Sequence, residues 1–79
     1  MLYKVGTIYK TPETESKESK YYTFFWCDNE GDLYFKDKEG TMLTFTKDSN
    51  GEYKSIYPRP SLTLPTIEVT PDEKPELYL

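Results

Sequence analysis

Residues 21–27 read Tyr21-Tyr22-Thr23-Phe24-Phe25-Trp26-Cys27, five aromatic side chains in seven positions, set between two strongly polar segments. Aromatic and β-branched side chains suit a pleated, half-buried surface better than a helix, so the stretch predicts a strand. Strict alternation sends Tyr22, Phe24 and Trp26 to one face and Tyr21, Thr23, Phe25 and Cys27 to the other. Both sets are apolar enough to bury. A strand of this kind is expected at the centre of a sheet, with neighbours on each side and cover over both faces.

Downstream, Asp28-Asn29-Glu30-Gly31-Asp32 is a turn cluster, followed by a short strand over Leu33–Lys36. Lys38-Glu39-Gly40 marks a second turn, and residues 41–47 alternate as another strand. Asp48-Ser49-Asn50-Gly51 ends in Asn-Gly, the dipeptide that best tolerates the positive φ of a tight hairpin, and residues 52–57 form the next strand. Four strands joined by three short turns predict an antiparallel meander. Upstream, residues 2–9 alternate well enough for a first strand, in which Gly6 marks a bulge or the close approach of another backbone. Residues 11–20 carry no large apolar side chain and predict a flexible, solvated loop.

Five of the six prolines fall at positions 58, 60, 65, 71 and 75. Proline removes a ladder donor, so this region holds no central strand, although residues 61–64 and 66–69 could be short edge strands broken at Pro65. Residues 70–79 are acidic and end in Leu77-Tyr78-Leu79. A disordered end is the default expectation for them, with docking onto the chain's own sheet or into a partner's groove as the alternatives. Neither a repeat of fixed period nor helical periodicity is evident. The expected architecture is one all-β domain over residues 1–69, a meander of about five strands forming a small SH3-like or OB-like barrel or roll, with an extended Pro-rich tail.

Composition limits what such a domain does. With 79 residues the chain is near the lower size for a single self-sufficient core, and 13 aromatic rings, each able to bury about 150–250 Å², offset the scarcity of aliphatics. There is no histidine, and the single cysteine ends an apolar strand with no basic neighbour to activate it, so an enzyme is disfavoured and no catalytic residue or cofactor is expected. Asp28, Glu30, Asp32 and Glu39 fall at the spacing of a twelve-residue calcium loop. Leu33 stands where that loop needs glycine, and strands flank it instead of helices, so no metal site is expected. The lone Cys27, the absence of a basic-then-apolar leader and the lack of a long apolar run predict a cytoplasmic protein without a membrane span.

Two binding classes remain. A protein partner would be met by tyrosines at the sheet's margin, Tyr21, Tyr34 and Tyr53, together with Leu77, Tyr78 and Leu79 of the tail, because aromatic anchors bury large area at low rotamer cost. The alternative is single-stranded nucleic acid, with Tyr22, Phe24 and Trp26 stacking bases and Lys20, Lys36 and Lys38 following the backbone. A net charge of −4 disfavours that second reading, since phosphate neutralisation needs a basic stripe. An exposed edge strand could also pair with a second copy to give a homodimer. In composition, small size and lack of catalytic residues the chain resembles accessory proteins of bacteriophages or mobile elements. Many of those bind and block a host factor, which implies an inhibitor or adaptor.

Overall fold

Asp28, Asp37 and Asp48 each stand three residues before a glycine, and all three build the same turn. In each, the carboxylate Oδ1 accepts the backbone N–H groups two and four residues on, at 2.9–3.0 Å. The aspartate's own N–H and C=O bond the backbone across the turn, to Asp32 and Gly31, Thr41 and Gly40, or Glu52 and Gly51. The glycine supplies the left-handed conformation, with φ of 87°, 85° and 82° at Gly31, Gly40 and Gly51. A short carboxylate in place of a longer loop therefore reverses the chain three times in succession.

The computed structural model describes residues 3–78 and is all-β. Its strands are β1 (Ile8–Lys10), β2 (Tyr21–Cys27), β3 (Leu33–Lys36), β4 (Met42–Lys47), β5 (Tyr53–Tyr57) and β6 (Ile67–Val69). They form one antiparallel sheet in the order β5-β4-β3-β2-β1-β6. The expected meander is present, with β6 added beyond it between Pro65 and Pro71. The sheet stays open, with β5 and β6 as its two edges, rather than closing into a barrel.

The first strand is shorter than its alternation predicts, and Leu2 lies outside the described residues. Gly6, at φ 86°, donates its N–H to the Phe24 carbonyl at 2.8 Å, while Phe24 donates to Thr7 at 3.0 Å. This is the bulge that glycine predicted, and it turns Tyr3 back over the sheet. The loop over residues 11–20 is largely exposed, but its base is closed by reciprocal bonds between Thr11 and Lys20.

One face of the sheet carries the core: Tyr9, Tyr22, Phe24, Leu33, Phe35, Leu43 and Phe45. Phe35 and Phe45 are wholly buried, and the rings of Phe24, Phe35 and Phe45 meet in a chain of edge-to-face contacts at 5.3 and 5.7 Å. Tyr3 covers them, stacked on Phe24 and edge-on to Phe35, both at 5.3 Å. The rest of the cover is proline-rich. Leaving β5, residues 58–66 cross this face to reach β6 at the far edge, laying Leu62 and Leu64 on the core and burying Pro65.

Among the described residues, the chain covers the other face at its β1–β6 end. There a 3₁₀ turn, Pro75–Tyr78, sits above Ile8 and Val69, and the Tyr78 hydroxyl accepts the Ile8 N–H and donates to the Val69 carbonyl. Lys10 pairs with Glu73 at 2.6 Å, and the Lys74 ammonium lies 5.6 Å from the Tyr21 ring centre. The acidic end thus docks on the chain's own sheet instead of hanging free. No helix among the described residues is long and apolar enough to cross a membrane.

Candidate binding surface

Two bulges decide what the uncovered face presents. Phe24 opposes Phe35 and Trp26 opposes Tyr34, which leaves Phe25 as an extra residue in β2. Phe45 opposes Ser55 and Thr44 opposes Tyr57, which leaves Ile56 extra in β5. An extra residue shifts the alternation by one, so every side chain beyond it changes face. Trp26 therefore leaves the core face predicted for it and joins Phe25 on the outer one, and Tyr57 joins Ile56.

The register then aligns Trp26, Tyr34, Thr44 and Tyr57 as direct cross-strand partners over four strands. At about 4.8 Å per strand, this row spans about 14 Å. The Trp26 and Tyr34 rings lie 5.2 Å apart at 33°, and Phe25 adds a tilted contact to Tyr34 at 6.3 Å. Trp26, Ile56 and Tyr57 are each more than half exposed, and Met42 beside them is 39% exposed. The aromatic strand is not buried on both faces as predicted. Tyr22 and Phe24 are core, Tyr21, Thr23 and Phe25 are half-buried, and Trp26 and Cys27 are exposed.

Polar neighbours fix the centre of the row. The Tyr34 hydroxyl donates to Asp28 Oδ2 at 2.9 Å, and Thr46 donates to Asp32 at 2.8 Å. The hydrogen bond to Asp28, reinforced by burial and by the nearby carboxylates, pushes the Tyr34 phenol above its ordinary pKa. Burial would raise the Asp28 carboxyl, but the backbone N–H groups of its turn and the Tyr34 hydroxyl outweigh it and hold that carboxyl low.

The residues expected to meet a protein do not share one surface. Tyr21 and Tyr34 lie on the outer face, while Tyr53 packs against the core on the opposite one, with the Lys47 ammonium 5.4 Å from its ring centre. Leu77 and Tyr78 belong to the docked 3₁₀ turn, and Leu79 lies outside the described residues. Of the proposed base-stacking set, Tyr22 and Phe24 are core residues at 8% and 2% exposure, which leaves Trp26 accessible. Lys20, Lys36 and Lys38 do come together, lining a cavity of about 530 Å³ that Asp37 and Glu39 share. Lys36 also reaches over the Phe25 ring at 4.8 Å.

Met42, Ile56 and Tyr57 escaped sequence reasoning. Their signal was the broken alternation itself: Phe24-Phe25-Trp26 and Ile56-Tyr57 place large apolar residues side by side, where a regular half-buried strand would alternate. No three or more Cys, Asp or Glu side chains among the described residues are grouped to hold a metal ion. No protein-family model matches the chain, and no curated protein or solved structure is significantly similar to it.

Proposed function

We propose that this chain is a non-enzymatic protein-binding module, an inhibitor or adaptor, whose contact surface is the outer face of the sheet around Trp26, Tyr34, Ile56 and Tyr57. The observation that carries this reading is the exposure of Trp26, Ile56 and Tyr57, with Tyr34 half-buried between them, in a small protein that covers its other face with proline-rich chain and one end of this face with its own tail. A large aromatic row left open on a rigid sheet offers ready-made anchors at little ordering cost. The exposed, unpaired thiol of Cys27 accords with a cytoplasmic setting.

A photo-crosslinking residue placed at position 42, beside the row, tests this in cells that naturally make the protein. One protein species is expected to be captured, and to be lost in the double variant Trp26→Ala, Tyr57→Ala while the circular dichroism spectrum stays native. Undiminished capture of the same species by the double variant overturns the reading.

A second reading rests on Lys36, which joins the aromatic row to the cavity shared with Lys20 and Lys38. Single-stranded nucleic acid would stack on Trp26 with its phosphates along those lysines, and would quench Trp26 fluorescence in a salt-dependent way. Absence of quenching by an oligonucleotide at low salt excludes it.

A further inference from the structure

On the core side of the sheet, where the β1–β2 loop faces the chain leaving β5, lies a second cavity of about 640 Å³, within the range of small-molecule sites. Its wall reverses the sign of the protein. Lys17, Lys20 and Arg59 line it against the single carboxylate of Glu18, in a chain whose net charge is −4. Among the described residues, ion pairs engage Lys4, Lys10 and Lys54, and none uses these three cations.

Tyr22 adds a neutral donor to this wall. The hydroxyls of Tyr3, Tyr9, Tyr34, Tyr53 and Tyr78 each find a hydrogen-bond partner. Tyr22 is a core residue that lines the cavity, and its hydroxyl, with no protein partner among the described residues, is not itself buried and opens to the cavity. A hydroxyl open on a cavity wall is a donor available to an acceptor oxygen of a bound group. Burial and Asp37 push the Tyr22 phenol toward its neutral, donating form, against the opposing charge of Arg59.

We propose that this cavity binds a small ligand carrying a phosphate group, with Arg59 and Lys20 taking its charge and the Tyr22 hydroxyl donating to one of its oxygens. Guanidinium, ammonium and phenol are all donors, and the surrounding wall is rich in threonine and serine hydroxyls. A tetrahedral group with several acceptor oxygens uses such a set, whereas a single carboxylate leaves part of it idle. The site lies across the sheet from the aromatic row, so it stands or falls apart from the protein partner proposed there, while Lys20 and Tyr22 are shared with the cavity invoked for nucleic acid.

Titration of the ¹⁵N-labelled protein with pyrophosphate at constant ionic strength, followed by NMR, tests the assignment. Saturable shifts are expected at Lys17, Lys20, Tyr22 and Ser61, and none at Trp26 or Tyr57. Arg59→Ala is expected to weaken binding at least about tenfold, since it removes a charged donor able to bond two oxygens, and Tyr22→Phe about threefold, since it removes one neutral donor. Both variants should fold, because the Ser55 hydroxyl bonds the Arg59 backbone carbonyl rather than its side chain, and Phe keeps the ring. Shifts that fail to saturate, that acetate reproduces at equal ionic strength, or that survive Arg59→Ala overturn the proposal.

Discussion

The Tyr3 hydroxyl donates to the Pro65 carbonyl oxygen at 2.6 Å, across 62 positions of sequence. It ties together the two pieces of chain that cover the core, the turned-back N-terminal segment and the proline-rich crossing. Tyr3→Phe removes that bond and keeps the ring, and should cost about 1 kcal/mol. Tyr3→Ala also uncovers Phe24 and Phe35, and should cost about 3 kcal/mol. Urea denaturation measures both, and equal losses for the two variants would show that the ring, stacked as described, contributes nothing.

The same phenol sets an alkaline limit. Burial, followed by the proximity of Tyr9 and Tyr53, pushes the Tyr3 pKa up to about 12 from 10.0. The folded state therefore holds this proton more tightly than the unfolded one. Its contribution is complete below pH 10 and disappears as pH rises through about 12. Stability should decline over that window, and Tyr3→Phe should decline less steeply. Identical alkaline profiles for the two proteins would contradict the burial of this hydroxyl.

Much of the fold was legible because turn chemistry is local. Asp28, Asp37 and Asp48, each three residues before a glycine, specify their reversals without help from distant residues, and the meander follows from them. The repeated turn went unseen because its period is irregular, while its hydrogen bonds are the same. Faces were legible only up to each bulge. Nothing in Phe25 or Ile56 alone marks it as the extra residue, since that depends on the register of the partner strand. The tail's docking was illegible for a related reason: Tyr78 meets Ile8 and Val69 through backbone groups, which no side-chain pattern displays.

Acid should act through the turns. The Glu52 N–H foremost, with Lys54 and the Asn50 N–H, holds the Asp48 carboxyl below its ordinary pKa despite partial desolvation. A depressed carboxylate stabilises the fold above the unfolded value near pH 3.8, and the benefit is lost as pH falls through the lower folded value. The melting temperature should fall on acidification below about pH 4, and Asp48→Asn should flatten that fall. A variant whose acid profile parallels the parent's would remove Asp48 from the account.

Tyr78 fastens β1 to β6, since its hydroxyl accepts from Ile8 and donates to Val69, a directly opposed pair. Tyr78→Phe leaves the Ile8 N–H without that acceptor. Hydrogen exchange at Ile8 should accelerate about tenfold, as expected for the loss of about 1.4 kcal/mol of local protection. Amides of β3 and β4, four strands' width from β6 at most, should keep their rates. Unchanged exchange at Ile8 would mean the tail does not hold this edge.

Trp26 reports the bulge that creates the outer row. At 54% exposure beside Tyr34, it should emit at nearly the same wavelength in the folded and unfolded protein and be quenched readily by acrylamide. Deleting Phe25 removes the extra residue but makes Trp26 the direct neighbour of Phe24, so regular alternation keeps the indole opposite Tyr34 on the outer face. The emission should therefore stay near its native wavelength, while loss of the tilted Phe25–Tyr34 contact at 6.3 Å should cost about 1 kcal/mol. A native emission already far to the blue of the unfolded one would place Trp26 in the core and dissolve the aromatic row on which partner binding rests.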